Sequence, residues 1–438
     1  MMVGSVSAQE ETRTLDYNGF AFRLFNQMKT EAGEQNVVCS PLSVELAMNM
    51  QANGAAGNTL QEIQQVFGTA GQSLDEVNIY NAKLMQTMAR ERKLTEKDKM
   101  YAFTEESLPI VAFANGIWTR VSLYDSFIKT NQTYYDAEVE QDVNFGLQET
   151  MDAIDTWVSE KTHGTIPSIN EDPDPNIASI LINALYFKGQ WAVPFETGAT
   201  WDDHFRNADG EDALVPMMHL SETFPYAELR SCKAVRLAYA TDGEFSMTLF
   251  LPNEEAEDFQ LTKDLWNEAQ QGMKRQSVAL SMPRFTVDTE TDLNSVLQSM
   301  GLREAFIYGV ADFSRMSPNE LYIDLIKQLC HVAVDEKGTE ASAVTVIMSE
   351  ETAIPQYKKF EANRPFCFTI EDNGTGTVLF VGEINELEDS GNLMTIEEAK
   401  FRKTGKENKG ILYDLQGRAL NSPPAKGIYI QDGHKIVK

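Results

Sequence analysis

Glu336-Lys337-Gly338-Thr339-Glu340-Ala341-Ser342-Ala343-Val344-Thr345 carries almost no chemistry. It holds no metal-ligand set, no base and no phosphate cradle. Strand residues alternate faces, so Thr339, Ala341, Ala343 and Thr345 share one side, with Ile347 next. Nothing on that side is charged or large until Ile347. Glu340 falls on the opposite face, toward water. Gly338 supplies a backbone hinge, because it takes torsions that other residues do not. The Val and Thr residues supply strand preference. A flat, small-faced segment led by a hinge is predicted to slide between two existing strands.

Working outward, 438 residues leave room for a large core. The 37 basic and 66 acidic residues give a net charge of −29. That balance favours solubility and argues against a nucleic-acid or anionic-membrane partner. The four cysteines, Cys39, Cys232, Cys330 and Cys367, are scattered with no C-x-x-C pair, so free buried thiols are expected. No run of about 18 apolar residues is present, so no membrane span is expected. The five histidines (163, 204, 219, 331 and 434) show no ligand spacing. Glu350-Glu351 reads as a solvated loop face. No metal, no cofactor and no catalytic triad is expected, and the chain does not read as an enzyme.

Tyr17, Phe20, Ala21, Leu24, Phe25 and Met28 recur at helical steps. Asn36 to Ser43 is predicted as a short strand running into a helix that continues through Met50, with Ser40 as its cap and Pro41 in its first turn. Helices are predicted over 58–68, 74–90, 149–160 and 293–300. Ala178 to Phe187 is nearly unbroken apolar sequence, predicted as a strand buried on both faces. Strands are also predicted over 111–118, 235–238, 245–251, 278–285, 366–370 and 377–384. Residues 322–347 read as one long strand leading into the hinge. Helices come first and strands dominate later, which points to an α+β class.

Several segments together resemble the serpin superfamily. They are Asn36-Val37-Val38-Cys39-Ser40-Pro41-Leu42-Ser43, Leu181 to Trp191, Ala311-Asp312-Phe313-Ser314, Asp335 to Thr345, and Phe360-Glu361-Ala362-Asn363-Arg364-Pro365-Phe366. Val215 to Met218, Met282 to Phe285 and Phe380 to Glu383 add weaker matches, and Cys367 stands where a larger apolar residue is usual. The resemblance covers 15–387 in one consistent order. It implies three β-sheets, eight to nine helices and an exposed reactive-centre loop. It also implies suicide inhibition of a serine, or alternatively a cysteine, endopeptidase by loop insertion. The partner is then the target endopeptidase, held as a covalent acyl complex by a monomeric inhibitor. The alternative is a non-inhibitory relative that binds or stores.

The resemblance assigns residues as well. Glu336, Gly338, Thr339, Ala341, Ser342, Ala343, Val344 and Thr345 form the hinge. Ser40, Ser43 and Asn183 fall in the shutter, the polar cluster under the main sheet's opening. Gln328 stands where the family usually has a histidine, which removes a titrating member while keeping a donor and an acceptor. Trp191 falls in the breach, where the loop first enters. The scissile residue, sixteen positions after Glu336, is Thr352, with Ala353 beyond the bond; Glu351 is the alternative. Thr352 suits an elastase-like or subtilisin-like target, and Glu351 a Glu-specific one.

Residues 1–14 end their small-residue run at Val6-Ser7-Ala8, like a signal-peptide cleavage end, but lack a basic start and apolar middle. They are expected to be a signal-peptide remnant or a disordered tail. Residues 388–409, basic from Lys400 to Lys409, read as a linker. Residues 410–438 read as short strands with Gly turns. That tail resembles the C-terminal sorting tails of Bacteroidetes proteins exported through the type IX system, and implies a secreted or cell-surface protein.

Overall fold

The computed structural model describes residues 15–101, 103–254, 259–339 and 357–390, together with short strands between 412 and 437. The chain divides into two compact units at Leu387/Glu388. The first is α+β, with nine α-helices among its described residues. The second carries a four-stranded antiparallel sheet in the order Ala419–Leu420, Leu412–Tyr413, Ile428–Gln431, His434–Val437. Residues 1–14, the greater part of the loop (340–356) and the linker from 391 lie outside the described residues.

Two sheets build the first unit. A nine-stranded sheet runs through the 17-residue strand Asp212–Glu228. The first half of that strand pairs with Thr200–Arg206, and its last residues pair with Cys232–Tyr239. The sheet therefore has two limbs. Together with the six-stranded sheet these make up the three layers of strands expected from the resemblance. The six-stranded sheet has the order Phe285–Asp292, Leu325–Val334, Gly338–Thr339, Ser179–Gln190, Ile110–Thr119, Glu138–Glu140.

Burial on both faces explains the unbroken apolar run of Ser179–Gln190. Leu181, Leu185 and Phe187 enter the main core. Ile180, Ile182 and Ala184 face the other way, into a second cluster with Met151, Ile154 and Val158 of the helix Gln148–Lys161. Neither face meets water, so period-2 polarity has no cause. The helix Pro41–Ala52 is buried on every side, including its polar residues Ser43, Glu45, Asn49 and Gln51. All four cysteines are free and buried.

Two strand predictions need correction. Residues 322–347 are not one strand: Leu325–Val334 ends in a tight turn, and the chain returns antiparallel as Gly338–Thr339. The cause is local. The Asp335 carboxylate accepts from the amides of Lys337 (2.8 Å) and Gly338 (3.1 Å), and the Asp335 amide donates to the Gly338 carbonyl (2.9 Å). The strand predicted over 278–285 is two, Lys274–Pro283 in the nine-stranded sheet and Phe285–Asp292 in the six-stranded one. Arg284 sits at the crossing.

Across the front of the six-stranded sheet, Lys327 Nζ donates to the Ile169 carbonyl (2.9 Å), Glu171 (2.5 Å) and Glu290 (2.6 Å). Burial alone would lower its pKa, but the two carboxylates hold it above the usual lysine value.

Candidate functional site

Leu325–Val334 and Ser179–Gln190 run parallel. They pair directly only from Leu325↔Ile180 to Gln328↔Asn183. At their other end they are separated by the hinge, with Thr339 opposite both Val334 and Gly189 and Gly338 opposite Gln190. Between these levels lie five residues on each side, 329–333 and 184–188. Over these rows the two strands do not pair with each other. Among the described residues the site is thus a pair of parallel strands, zipped together at one end and parted by the hinge at the other.

The filled end is held by the backbone. The Trp191 amide donates to the Lys337 carbonyl (2.7 Å), and its indole nitrogen to the Asp335 carbonyl (3.0 Å). The Phe195 amide donates to the Glu336 carbonyl (2.7 Å). Trp191 is fully buried and stacks on Tyr239, centroids 4.5 Å apart and planes 14° from parallel. The Tyr239 hydroxyl lies 2.8 Å from Thr339 Oγ1, so the odd-numbered face of the hinge points into the core.

Gly338 is needed here chiefly for close approach. A Cβ on it would sit 2.1 Å from the Gly189 carbonyl oxygen and 2.7 Å from Gln190 Cα. Glu336 is buried and bound by Arg284 (2.5 Å) and the Thr200 hydroxyl (2.8 Å). Burial pushes its pKa up, but Arg284, a backbone amide and Thr200 together bring it below the usual carboxylate value.

The zipped end is a buried polar cluster. Gln328 Nε2 donates to the Ser40 carbonyl (2.7 Å) and to Ser43 Oγ (3.0 Å), and its oxygen accepts from the Ser40 amide (3.3 Å). The structure therefore joins Gln328 to Ser40 and Ser43. Asn183 lies beside Gln328 in the sheet but donates the other way, to Asn115 Oδ1 on the neighbouring strand. Asn115 in turn donates to the Tyr135 carbonyl (2.7 Å). Ser40 Oγ and Asn183 Oδ1 are buried with no hydrogen-bond partner among the described residues.

Ser40 holds the N-cap position of Pro41–Ala52, yet its hydroxyl caps nothing. Its main-chain groups are drawn instead to Gln328, so the expected capping bond is absent. His331 points away from this cluster, to Asp288 (2.7 Å) on the next strand.

Sequence reasoning missed Arg284, Tyr239 and Asn115. Arg284 stands inside the quoted segment Met282 to Phe285, where a Pro before it marked a possible break. Tyr239 and Asn115 carry no local signal.

Ala341, Ser342, Ala343, Val344 and Thr345 of the hinge, and Glu351, Thr352 and Ala353, lie outside the described residues. Among those described, no cluster of His, Cys, Asp or Glu fits a metal ion, and no helix is long and apolar enough to cross a membrane.

A family model described as "Serpin (serine protease inhibitor)" matches residues 16–387. Iripin-8 of Ixodes ricinus is 31% identical over 84% of this chain and 92% of its own length. The leukocyte elastase inhibitor of Xenopus tropicalis is 30% identical over 83% of this chain and 96% of its own. Among solved structures, the thermophilic serpin tengpin in its native state superposes with a TM-score of 0.75 at 28% identity, covering 86% of this chain and 96% of that one. With the motifs in order, the two sheets in place and the match spanning the whole first unit, the chain belongs to the serpin family.

Proposed function

We propose that this serpin is a suicide inhibitor of serine endopeptidases, with cysteine endopeptidases as a further class, acting outside the cell that makes it. The supporting observation is the parting of two parallel strands: the hinge is docked between them at Thr339, the two strands do not pair with each other over the next five rows, and the sequence that follows Thr339 presents small residues on one face. A target cuts the loop, the acylated segment enters the gap, and the enzyme is carried along. The nucleophile and base belong to the target.

The register supports a length for the inserted strand. Counting on from Thr339, positions 340–344 fit the open rows, and Thr345 arrives level with both Asn183 and Gln328. Further entrance must part the four zipped pairs. Thr345 shares the inward face of Thr339, where Asn183 Oδ1 lacks a partner. Filling that face with small residues completes an unfinished sheet, which is a source of driving force.

Four measurements test this reading. Mixing with elastase-like and subtilisin-like proteases is expected to give an adduct that survives boiling in detergent, with a melting temperature that rises sharply once the loop is cut. Cleaved loop without adduct and with an unchanged melt would favour the binding or storage alternative. Mass spectrometry of the released peptide is expected to find Ala353 at its start. A start at Thr352 moves specificity to Glu351 and to a Glu-specific enzyme. For export, deletion of 410–438 is expected to keep the protein out of the culture medium of a host with type IX secretion.

A further inference from the structure

The buried helix Pro41–Ala52 carries a polar stripe. Glu45, Asn49 and Asn53, the last just past its end, stand four residues apart and share one face. From this stripe a chain of hydrogen bonds runs one way through four helices. Asn49 Nδ2 donates to the Tyr17 hydroxyl (3.2 Å), directly before Asn18–Ala32, and that hydroxyl donates to Asn81 Oδ1 (2.7 Å) on Leu74–Met88. Asn81 Nδ2 donates to the Tyr135 hydroxyl (3.1 Å) of Asp125–Tyr135, which donates to Asn78 Oδ1 (2.7 Å). Asn78 Nδ2 returns to Asn53 Oδ1 (2.9 Å), and Asn53 Nδ2 donates to Asn131 Oδ1 (3.2 Å).

The chain lacks its first donor. Asn49 Oδ1 is buried with no partner among the described residues, and so are both oxygens of Glu45, one turn earlier on the same face. A carboxylate brings only acceptors to this spot, whereas a carboxylic acid brings the missing O–H. The charges nearby are engaged elsewhere. Arg23 donates to the carbonyls of Gly19 (3.1 Å) and Val66 (2.9 Å), and Asp16 pairs with Lys263. Glu62 of Gly57–Val66 accepts from the amides of Arg303 and Glu304, and Glu383 of Thr377–Ile384 binds Lys29. Tyr17, Tyr80 and Tyr135 are phenols that burial keeps un-ionised. Asn115 and Asn183, on the strands packed against the helix, are neutral. Burial pushes the Glu45 carboxyl well above the usual range; Arg23 opposes this and Asp16 adds to it.

We infer that Glu45 is a proton-operated latch: protonated, it donates to Asn49 Oδ1 and heads the chain of amides and phenols; ionised, it breaks that head and loosens the helix whose first turn holds Gln328. The link to Gln328 is short, since Ser40 and Ser43 stand five and two residues before Glu45. The sign follows from proton counting. The folded chain keeps a proton that the unfolded chain gives up above about pH 4.3, so the latch contributes most below that pH and less as pH rises to the folded value.

The test uses the full chain, Glu45→Gln and Glu45→Leu. Gln brings an N–H to Asn49 in place of the acid's O–H, so Glu45→Gln is expected to keep the fold. The infrared difference at pH 7 between the unaltered chain and Glu45→Gln is expected to show a protonated-carboxyl band; the buried Glu371 is common to both and cancels. In denaturant melts the unfolding constant of the unaltered chain, relative to Glu45→Gln, is expected to rise about tenfold per pH unit above about pH 4.3. As the band disappears at higher pH, hydrogen exchange at the Ser40 amide is expected to quicken at least about threefold relative to Glu45→Gln at the same pH. Glu45→Leu offers Asn49 no donor; it is expected to give the same band difference and faster exchange at Ser40 at every pH, and it supplies the comparison should Glu45→Gln fail to fold. Absence of the band at pH 7 overturns the inference, as does a band that titrates with exchange at Ser40 unchanged.

Discussion

The two ends of the gap are held by opposite means. At the filled end Trp191, Phe195 and Asp335 take up the turn through main-chain groups and Glu336 is paired with Arg284, while both side-chain polar atoms of buried Gln190 have no hydrogen-bond partner among the described residues. At the zipped end the strands meet over four pairs above a cluster in which Ser40 Oγ and Asn183 Oδ1 go unpartnered. Leaving a buried polar atom unpaired costs about 1–3 kcal/mol. Each end leaves two buried polar atoms unsatisfied, and the difference lies in what holds them: main-chain bonds to the hinge turn at one end, side-chain bonds from Gln328 to Ser40 and Ser43 at the other.

Thr339→Arg should break the comparison most. It places a long charge against Tyr239 on the inward face, and burying an unpaired charge costs several kcal/mol. The expected result is that the protease cuts the loop and leaves, so that gel assays show cleaved chain without adduct. Trapping at unchanged stoichiometry would contradict the face assigned to Thr339.

Gly338→Ala strikes the clasp next. Its Cβ overlaps the Gly189 carbonyl, so hinge or strand must shift at a cost of about 1–3 kcal/mol. Faster hydrogen exchange at the Trp191 amide is expected, and unaltered protection there would rule out the close approach.

Gln328→Ala attacks the zipped end. It removes three hydrogen bonds to Ser40 and Ser43 and should lower stability by about 2–3 kcal/mol in a denaturant melt. Gln328→His should instead make the unfolding rate depend on pH between about 5 and 8, which the unaltered cluster should not.

Acid offers a finer probe of the clasp. The folded pKa of Glu336 lies below its ordinary value, so the stabilisation is complete above about pH 4.3 and is lost as pH falls through the lower folded value. A loss of stability below about pH 4 that Glu336→Gln abolishes is expected. Tyr239→Phe should have the smallest effect, about 1 kcal/mol for one neutral hydrogen bond to Thr339.

The sequence carried the gap's moving part and its walls unequally. Ser179–Gln190 was legible because burial on both faces leaves an unbroken apolar run. The inward face of Thr339 was legible because strand alternation needs no tertiary knowledge. The turn at Asp335 was read through as strand: its Asx bonds are local, but the apolar run before it masked them. Phe285–Asp292 was partly missed because its outer residues are acidic, answered by Lys327 and His331 of the neighbouring strand. Gln328 was placed by counting. Its partners Ser40 and Ser43 lie some 285 residues away, and only the fold reveals that Gln328 takes up the main chain of Ser40 in place of a capping bond. Tyr239 and Arg284 were out of reach for the same reason, since each acts on the hinge from another sheet.

Under the proposed insertion, the bracket of Lys327, Glu171 and Glu290 would split the strand's entry into two laps. Positions 340–344 would enter without disturbing Lys327, whose level would be reached only by Val346. The second lap would have to part Lys327 from Ile182 while Glu171 and Glu290 hold it from the other side. A pause there would leave the acyl bond open to water, so the share of encounters ending in capture would depend on Lys327, a residue outside both the hinge and the bait.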